Sequence, residues 1–196
     1  MKRFLILFLV CLTTVVKAQI SDTTEYFMCE FAFKFGARVP QGDQFLEKYG
    51  LESTPKFSLD LNLGGRTINQ TPKLWTRFSR YQAEIKDQIV GTDTITNPQI
   101  RHSQLVLGLS YPVSLGKQNF LEIKGGASRN WVTDDLDSFV GNGMVLSIGH
   151  RKQFNSVLSM CSDFGFDYFQ LKHEGEIRNF SSVFFDLGIG LNLGFF

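Results

Sequence analysis

The most regular feature of this chain is a two-residue alternation of apolar and polar side chains, and it is clearest at the carboxyl end. Between Ser181 and Phe196 one phase is apolar at almost every step, while the other carries small or polar residues such as Asp186 and Asn192. A period of two predicts a β-strand with one apolar and one polar face. The apolar phase of this strand consists of Val183, Phe185, Leu187, Ile189, Leu191, Leu193 and Phe195, and the last residue is Phe196.

The length of this segment indicates what surrounds it. Strands of soluble proteins are usually about 5–6 residues long, and the alternation here continues for about 15 residues. A long strand that is apolar on one side to its end suits a sheet whose outer face meets lipid and whose inner face is wet.

Seven further segments repeat the pattern, which predicts an all-β chain of eight strands. In the third segment the apolar phase changes between Phe78 and Tyr81, which predicts a β-bulge, and Pro112 is expected to end the fourth. An even number of amphipathic strands predicts a closed, antiparallel, up-and-down transmembrane β-barrel, in which the last strand pairs with the first. The seven segments span 27–37, 57–65, 73–85, 101–111, 120–130, 143–150 and 157–169.

The connections between these segments alternate in length. Long polar stretches are expected at 38–55, 86–100, 132–140 and 170–179, and shorter links at 66–72, 113–119 and 151–156. Long loops at one rim and short turns at the other are typical of barrels in bacterial outer membranes, where the short turns face the periplasm.

The amino end has the layout of a secretory signal peptide. Lys2 and Arg3 precede an apolar run from Phe4 to Val16, and Val16-Lys17-Ala18 forms a small-residue cleavage site. The run is about 13 residues long, whereas a membrane-spanning helix needs about 20. We therefore expect a signal peptide over residues 1–18 and a single barrel domain over residues 19–196.

Composition narrows the function classes. The formal net charge is +1, from 20 basic and 19 acidic residues, and this near balance gives no reason to expect nucleic acid as a partner. The chain contains 20 phenylalanines, and aromatic residues favour strands.

The polar phases of the predicted strands carry charges of both signs. An eight-stranded barrel is just wide enough for side chains to fill it, so we expect these groups to form a structural plug of ion pairs. Two lysines among six carboxylates predict an acidic plug, unless the third strand also turns Arg77 inward. The predicted lumen network consists of Glu30, Lys34, Asp60, Glu122, Lys124, Asp163, Asp167 and Asp186.

No residue pattern predicts catalysis, a metal or a cofactor. None of His102, His150 and His173 has a serine two residues away on the same strand face, which a histidine-based lipid hydrolase of this architecture would need. The acidic segment 134–137 lacks the spaced oxygen ligands and central glycine of a calcium loop. We expect a non-enzymatic protein with no bound metal or cofactor.

The amino-terminal signal, the eight amphipathic strands and the aromatic carboxyl end together resemble the small eight-stranded outer-membrane barrels of Gram-negative bacteria. These include barrels of the OmpA and OmpX type and, more closely, the outer-membrane β-barrel domain family related to PorT-like proteins. The resemblance is one of architecture and carries no catalytic or binding motif. It implies an outer-membrane location, contact with membrane lipid, insertion by the barrel-assembly machinery, and envelope protein partners that contact the loops.

The main hypothesis is an integral outer-membrane protein with a plugged polar lumen and a structural or loop-mediated binding role. Three alternatives stay open: a subunit of an envelope secretion or assembly complex, a lipid-modifying outer-membrane enzyme, and a soluble exported barrel that binds an apolar ligand. The soluble barrel would place the apolar phase inside and the charged phase in water.

Overall fold

The structure, a computed structural model, describes residues 27–41, 54–65, 71–84, 88–90, 93–95, 99–133, 138–173 and 176–195. Within these ranges every element of regular secondary structure is a strand, and no helix is long and apolar enough to cross a membrane. The strands are β1 (Phe27–Gln41), β2 (Thr54–Gly65), β3 (Lys73–Glu84), β4 (Gln88–Val90), β5 (Asp93–Ile95), β6 (Gln99–Gly116), β7 (Asn119–Thr133), β8 (Ser138–Gln153), β9 (Leu158–His173) and β10 (Glu176–Phe195).

Eight of these strands close into one antiparallel barrel in up-and-down order, which confirms the predicted fold class. The closing strand β10 pairs with β1 from Phe27 opposite Phe195 to Gln41 opposite Ser181. The two short strands β4 and β5 form a separate hairpin inside the expected loop 86–100, which the alternation did not reveal.

The strand registers determine the width of the barrel. A row of paired residues that starts at Cys29 and passes once around the wall returns to β1 at Val39, ten residues further along the strand. With eight strands and this stagger, the strands tilt by about 40° to the barrel axis. The interior of such a barrel is just wide enough for side chains to fill it.

The strand connections define two rims. The turn rim contains the connections after β2, β6 and β8 and the strand ends at Phe27 and Phe195, and the loop rim contains the connections after β1, β3, β7 and β9. The long loops expected at 132–140 and 170–179 are wrong, because strands occupy most of both ranges and leave only residues 134–137 and 174–175 between them. The strand pattern continues there because the inward phase turns apolar, which hides the alternation.

Two local predictions are also wrong. The third strand has no bulge, since its pairing with β2 and β6 is continuous and Tyr81 lies on the inner face. Pro112 does not end the fourth strand, because β6 continues to Gly116 and Pro112 pairs with Glu122 of β7. The pairing of β6 with β3 stops at Ser110, so Pro112 lies on a locally one-sided stretch, where a missing N–H is tolerated.

The two faces of the wall have opposite character. Large apolar side chains point outward, for example Phe35 and Phe164, which are 69% and 61% exposed. The inner face is mainly polar, with the smaller apolar clusters described below. The predicted signal peptide and the side chains of Phe195 and Phe196 lie outside the described part of the chain.

The polar lumen as candidate functional site

All eight charges predicted for the lumen point inward, and each is at most 2% exposed. Their positions follow from the alternation, because the inner phase of a strand stays inside a closed barrel. The structure adds five buried cations that the predicted network did not include: Arg38, Lys56, Lys73, Arg77 and Arg151.

These additional cations correct the expected sign of the lumen charge. The described residues contain seven buried cations and six buried carboxylates, so the acidic plug is wrong. Arg38, Lys56 and Arg151 were missed because they lie beyond the predicted strand ends, in the longer strands of the structure. Extending the alternation by a few residues would have placed all three on the inner phase.

The middle layer of the lumen consists of Lys34, Asp60, Arg77, Lys124, Asp163 and Asp186. Arg77 binds Asp60 in a bidentate manner, with Nε 2.6 Å from Oδ1 and Nη2 2.8 Å from Oδ2. Paired hydrogen bonds between guanidinium and carboxylate combine charge with fixed geometry. Arg77 therefore fixes the orientation of the Asp60 carboxylate at the centre of the barrel.

Asp163 is the second anionic centre of the middle layer. It accepts hydrogen bonds from Lys34 and Arg77, and from Lys124 Nζ at 2.9 Å. Lys34 also donates to Asp60 at 2.6 Å, so the two carboxylates share their cations. Buried charges are tolerated when they are both paired and hydrogen-bonded, and Asp60 and Asp163 meet both conditions through cations of three other strands.

Aromatic rings supplement the carboxylates as partners for the cations. Lys56 Nζ lies 3.0 Å from Asp186 Oδ2 and 3.8 Å from the centroid of the Phe184 ring. The Arg77 guanidinium lies 5.2 Å from the same ring and 5.0 Å from the Trp75 ring. Such cation–π contacts are stronger when the pair is desolvated, and Trp75 and Phe184 are both buried.

The upper layer, nearer the loop rim, consists of Arg38, Tyr81, His102, Gln104, Asn130, Asp167 and Ser182. Arg38 donates to Asp167 and Ser182, and its Nη1 lies 3.0 Å from His102 Nδ1. His102 Nε2 lies 2.9 Å from Asn130 Oδ1, which also accepts from Gln104. Because Asn130 Oδ1 is an acceptor and Arg38 a donor, His102 is neutral with its proton on Nε2.

Above this layer an apolar cap closes the lumen at the loop rim. It consists of Ile100, Val132, Phe139, Phe169 and Leu171, with Phe180 packed against them. Phe169 connects the two levels, since its ring lies 5.0 Å from the His102 ring and 5.4 Å from the Phe180 ring. The cap covers the upper layer with side chains that offer water no hydrogen bonds.

The lower layer, nearer the turn rim, consists of Glu30, Asn62, Lys73, Ser110, Glu122, Arg151 and Asn192. Arg151 bridges Glu30 and Glu122, and Glu122 Oε2 lies 2.9 Å from Lys124 Nζ. Unlike the upper layer, this layer retains buried polar atoms without a protein hydrogen-bond partner among the described residues: Asn62 Oδ1, Ser110 Oγ, Glu122 Oε1, Asn192 Oδ1 and Arg151 Nε. Such atoms are usually satisfied by water.

The histidines do not form a catalytic arrangement within the described residues. Both ring nitrogens of His102 are engaged by Arg38 and Asn130. His150 lies on the outward phase and is partly exposed, and the side chain of His173 is outside the description. The described His, Cys, Asp and Glu residues also form no group of three or more that could hold a metal ion.

The closing strand contributes to both faces. Its apolar phase points outward from Val183 to Leu193, with Leu187 and Ile189 51% and 57% exposed. Its inner phase brings Asp186 into the middle layer and Ser182 into the upper layer.

No family model and no curated protein matches this sequence. Solved structures do match. The outer-membrane protein OprG from Pseudomonas aeruginosa aligns with a TM-score of 0.53 and 11% identity, over 86% of this chain and 96% of that one. The N-terminal β-barrel domain of Pseudomonas aeruginosa OprF aligns with a TM-score of 0.51 and 11% identity, over 87% of this chain and all of that one. This chain has the fold of the small outer-membrane β-barrels. At such low identity, the likeness extends to the fold alone.

Proposed function

We propose that this protein is an integral outer-membrane barrel that is surrounded by lipid and plugged by ion pairs, with recognition carried by the loop rim. The observation that carries this proposal is the distribution of side chains in a closed barrel. Large apolar residues lie outside, and thirteen charged side chains and one histidine of the described residues lie inside. A soluble barrel would need the opposite arrangement, because exposed apolar surface of this extent favours association or aggregation in water.

The height of the apolar belt supports a membrane location. On β10 the outward residues are apolar from Val183 to Leu193 and polar above them, at Asn179 and Ser181. Eleven residues at the tilt of this barrel span about 25 Å, which is the height of the apolar band in outer-membrane barrels. The ends of the belt therefore match the two surfaces of a bilayer.

The lumen supports a closed barrel rather than a channel or an enzyme. Five strands exchange ion pairs in the middle layer, and the apolar cap covers the upper layer. The only histidine that the structure describes inside the lumen has both nitrogens occupied. These features favour a structural lumen, with binding at the loop rim, where most of the connecting residues lie.

The deciding experiment is gel migration of the protein from an outer-membrane fraction, with and without heating. We expect the unheated protein to migrate differently from the heated one, since a closed barrel in lipid resists the detergent of the gel. Recovery of the protein in a detergent-free soluble fraction would contradict the proposal. Stoichiometric co-purification with other envelope proteins would instead favour the role of a subunit in an envelope complex.

A further inference from the structure

Three arginines lie on the outside of one part of the wall, at the upper edge of the apolar belt. They are Arg80 on β3, Arg101 on β6 and Arg129 on β7, and all three are exposed. Directly below them the outer face is apolar, with Phe78 and Leu105 40% and 42% exposed. We call these three residues the arginine patch.

The strand registers bring the arginine patch together. Arg80 pairs with Ser103, so Arg101 is its diagonal neighbour on the same face, at a Cα separation of about 7–8 Å. Ser103 in turn pairs with Trp131, two residues beyond Arg129, so Arg80 and Arg129 are two strand spacings across and two residues along the sheet, about 12 Å apart. Arg101 and Arg129 are on adjacent strands and four residues apart along them, about 14 Å. Three long, flexible side chains at these separations can reach a common headgroup.

No ion pair among the described side chains neutralises the patch. The ion pairs that the structure records all lie in the lumen, and none involves these arginines. Arg129 donates a hydrogen bond to the neutral Asn142. At this level the outward residues of several other strands are neutral, for example Tyr168, Gln170, Ser181 and Gln41, and the exposed Lys172 lies one outward position above Gln170.

We propose that the arginine patch binds the phosphate groups of a lipid in the leaflet at the loop rim, while the acyl chains cover Phe78 and Leu105. This inference rests on the membrane location proposed above. A guanidinium suits phosphate because it donates paired hydrogen bonds and loses little hydration. The adjoining apolar belt favours a lipid headgroup over free phosphate, since only a lipid contacts both surfaces at once.

The chain contains its own reporter for this site. Trp131 is 38% exposed beside the patch, whereas Trp75 is buried in the lumen. A brominated acyl chain quenches tryptophan only at contact, so quenching from the membrane reports lipid next to Trp131. Vesicles of phosphatidylcholine are prepared with a small fraction of either brominated phosphatidic acid or brominated phosphatidylcholine, and the two degrees of quenching are compared.

We expect brominated phosphatidic acid to quench more strongly than brominated phosphatidylcholine. The R80Q/R101Q/R129Q variant should lose this preference. Each arginine removed should lower the affinity for phosphatidic acid, relative to phosphatidylcholine, by about fivefold. The matched control K117Q/K152Q removes two exposed cations near the turn rim and should keep the full preference. Inorganic phosphate at the same concentration should not displace the lipid.

The outcomes separate this inference from the proposed function. Equal quenching by the two lipids, in a protein that has inserted and shows heat-dependent gel migration, would overturn the lipid site and leave the membrane barrel intact. Loss of the preference in K117Q/K152Q, or competition by inorganic phosphate, would overturn it as well. Failure of the unaltered protein to insert would overturn both.

Discussion

At the scale of single residues, Arg77 is the centre of the lumen. Its side chain is fully buried, and it contacts Asp60 and Asp163 by hydrogen bonds and lies 3.5 Å from Asp186. Its three carboxylate partners come from three other strands. The most distant of these partners, Asp186, is 109 positions from Arg77 in the sequence. These contacts can therefore form only when the barrel is closed.

Replacing Arg77 with Met should therefore destabilise the barrel strongly. The change leaves buried carboxylates with fewer cations. Removing one partner of a buried ion pair costs about 3–5 kcal/mol. Urea unfolding in detergent micelles, followed by tryptophan fluorescence, measures the free energy of unfolding. The exposed Lys117 is the control, and K117M should change the free energy of unfolding by less than about 0.5 kcal/mol. A loss below about 1 kcal/mol for R77M would contradict a stabilising role for this network.

The pair Arg38 and Asp167 allows a cleaner measurement, because Asp167 is the only carboxylate within ion-pair distance of Arg38 in the described residues. We expect R38M and D167N each to lower the free energy of unfolding, since each leaves its partner buried without an opposite charge. The double variant should lose less than the sum of the two, with a coupling of about 0.5–3 kcal/mol. Additive losses in the same unfolding assay would show that the two side chains do not interact energetically.

At the scale of the strands, close approach between neighbours constrains the inner face. Gly165 of β9 lies under the Phe184 ring of β10, and a Cβ atom added to Gly165 would lie 2.3 Å from Phe184 Cζ and 2.7 Å from the backbone oxygen of Leu146. On the outer face, a Cβ atom added to Gly125 would meet only the flexible end of the Leu146 side chain, at 3.2 Å.

These two glycines form a matched pair for substitution. G165A should lower the free energy of unfolding by about 1–3 kcal/mol, the usual cost of overpacking. G125A should change it by less than about 0.5 kcal/mol, as for other surface positions. Adding F184L to G165A should recover part of the loss by removing the clashing ring atom. Equal effects of G165A and G125A would contradict the described packing of β9 against β10.

At the scale of the whole molecule, the lumen differs between its two ends. The apolar cap covers the loop end, and the upper layer beneath it contains none of the buried polar atoms that lack a protein partner. Five such atoms lie in the lower layer, near the turn rim. Because buried polar groups without protein partners are generally hydrated, we expect water to reach the lumen from the turn rim only.

Thiol labelling measures this asymmetry. In a cysteine-free form of residues 19–196, S110C places a thiol in the lower layer and N130C places one in the upper layer. A small, charged methanethiosulfonate should label S110C in the folded protein and leave N130C unlabelled until urea is added. Labelling of N130C at the rate of S110C, in protein that still shows heat-dependent gel migration, would mean that the apolar cap does not seal the lumen.

The sequence by itself determined the number of barrel strands, the face of most side chains outside the third strand and the inward position of eight charges. It could do so because a period of two assigns faces without reference to any partner strand. Only the tertiary structure decided the ends of the strands, the balanced lumen charge and the identity of each ion pair. Contacts such as Arg77 with Asp163 depend on the height of each residue along the axis, and the register of strands that are distant in sequence sets that height.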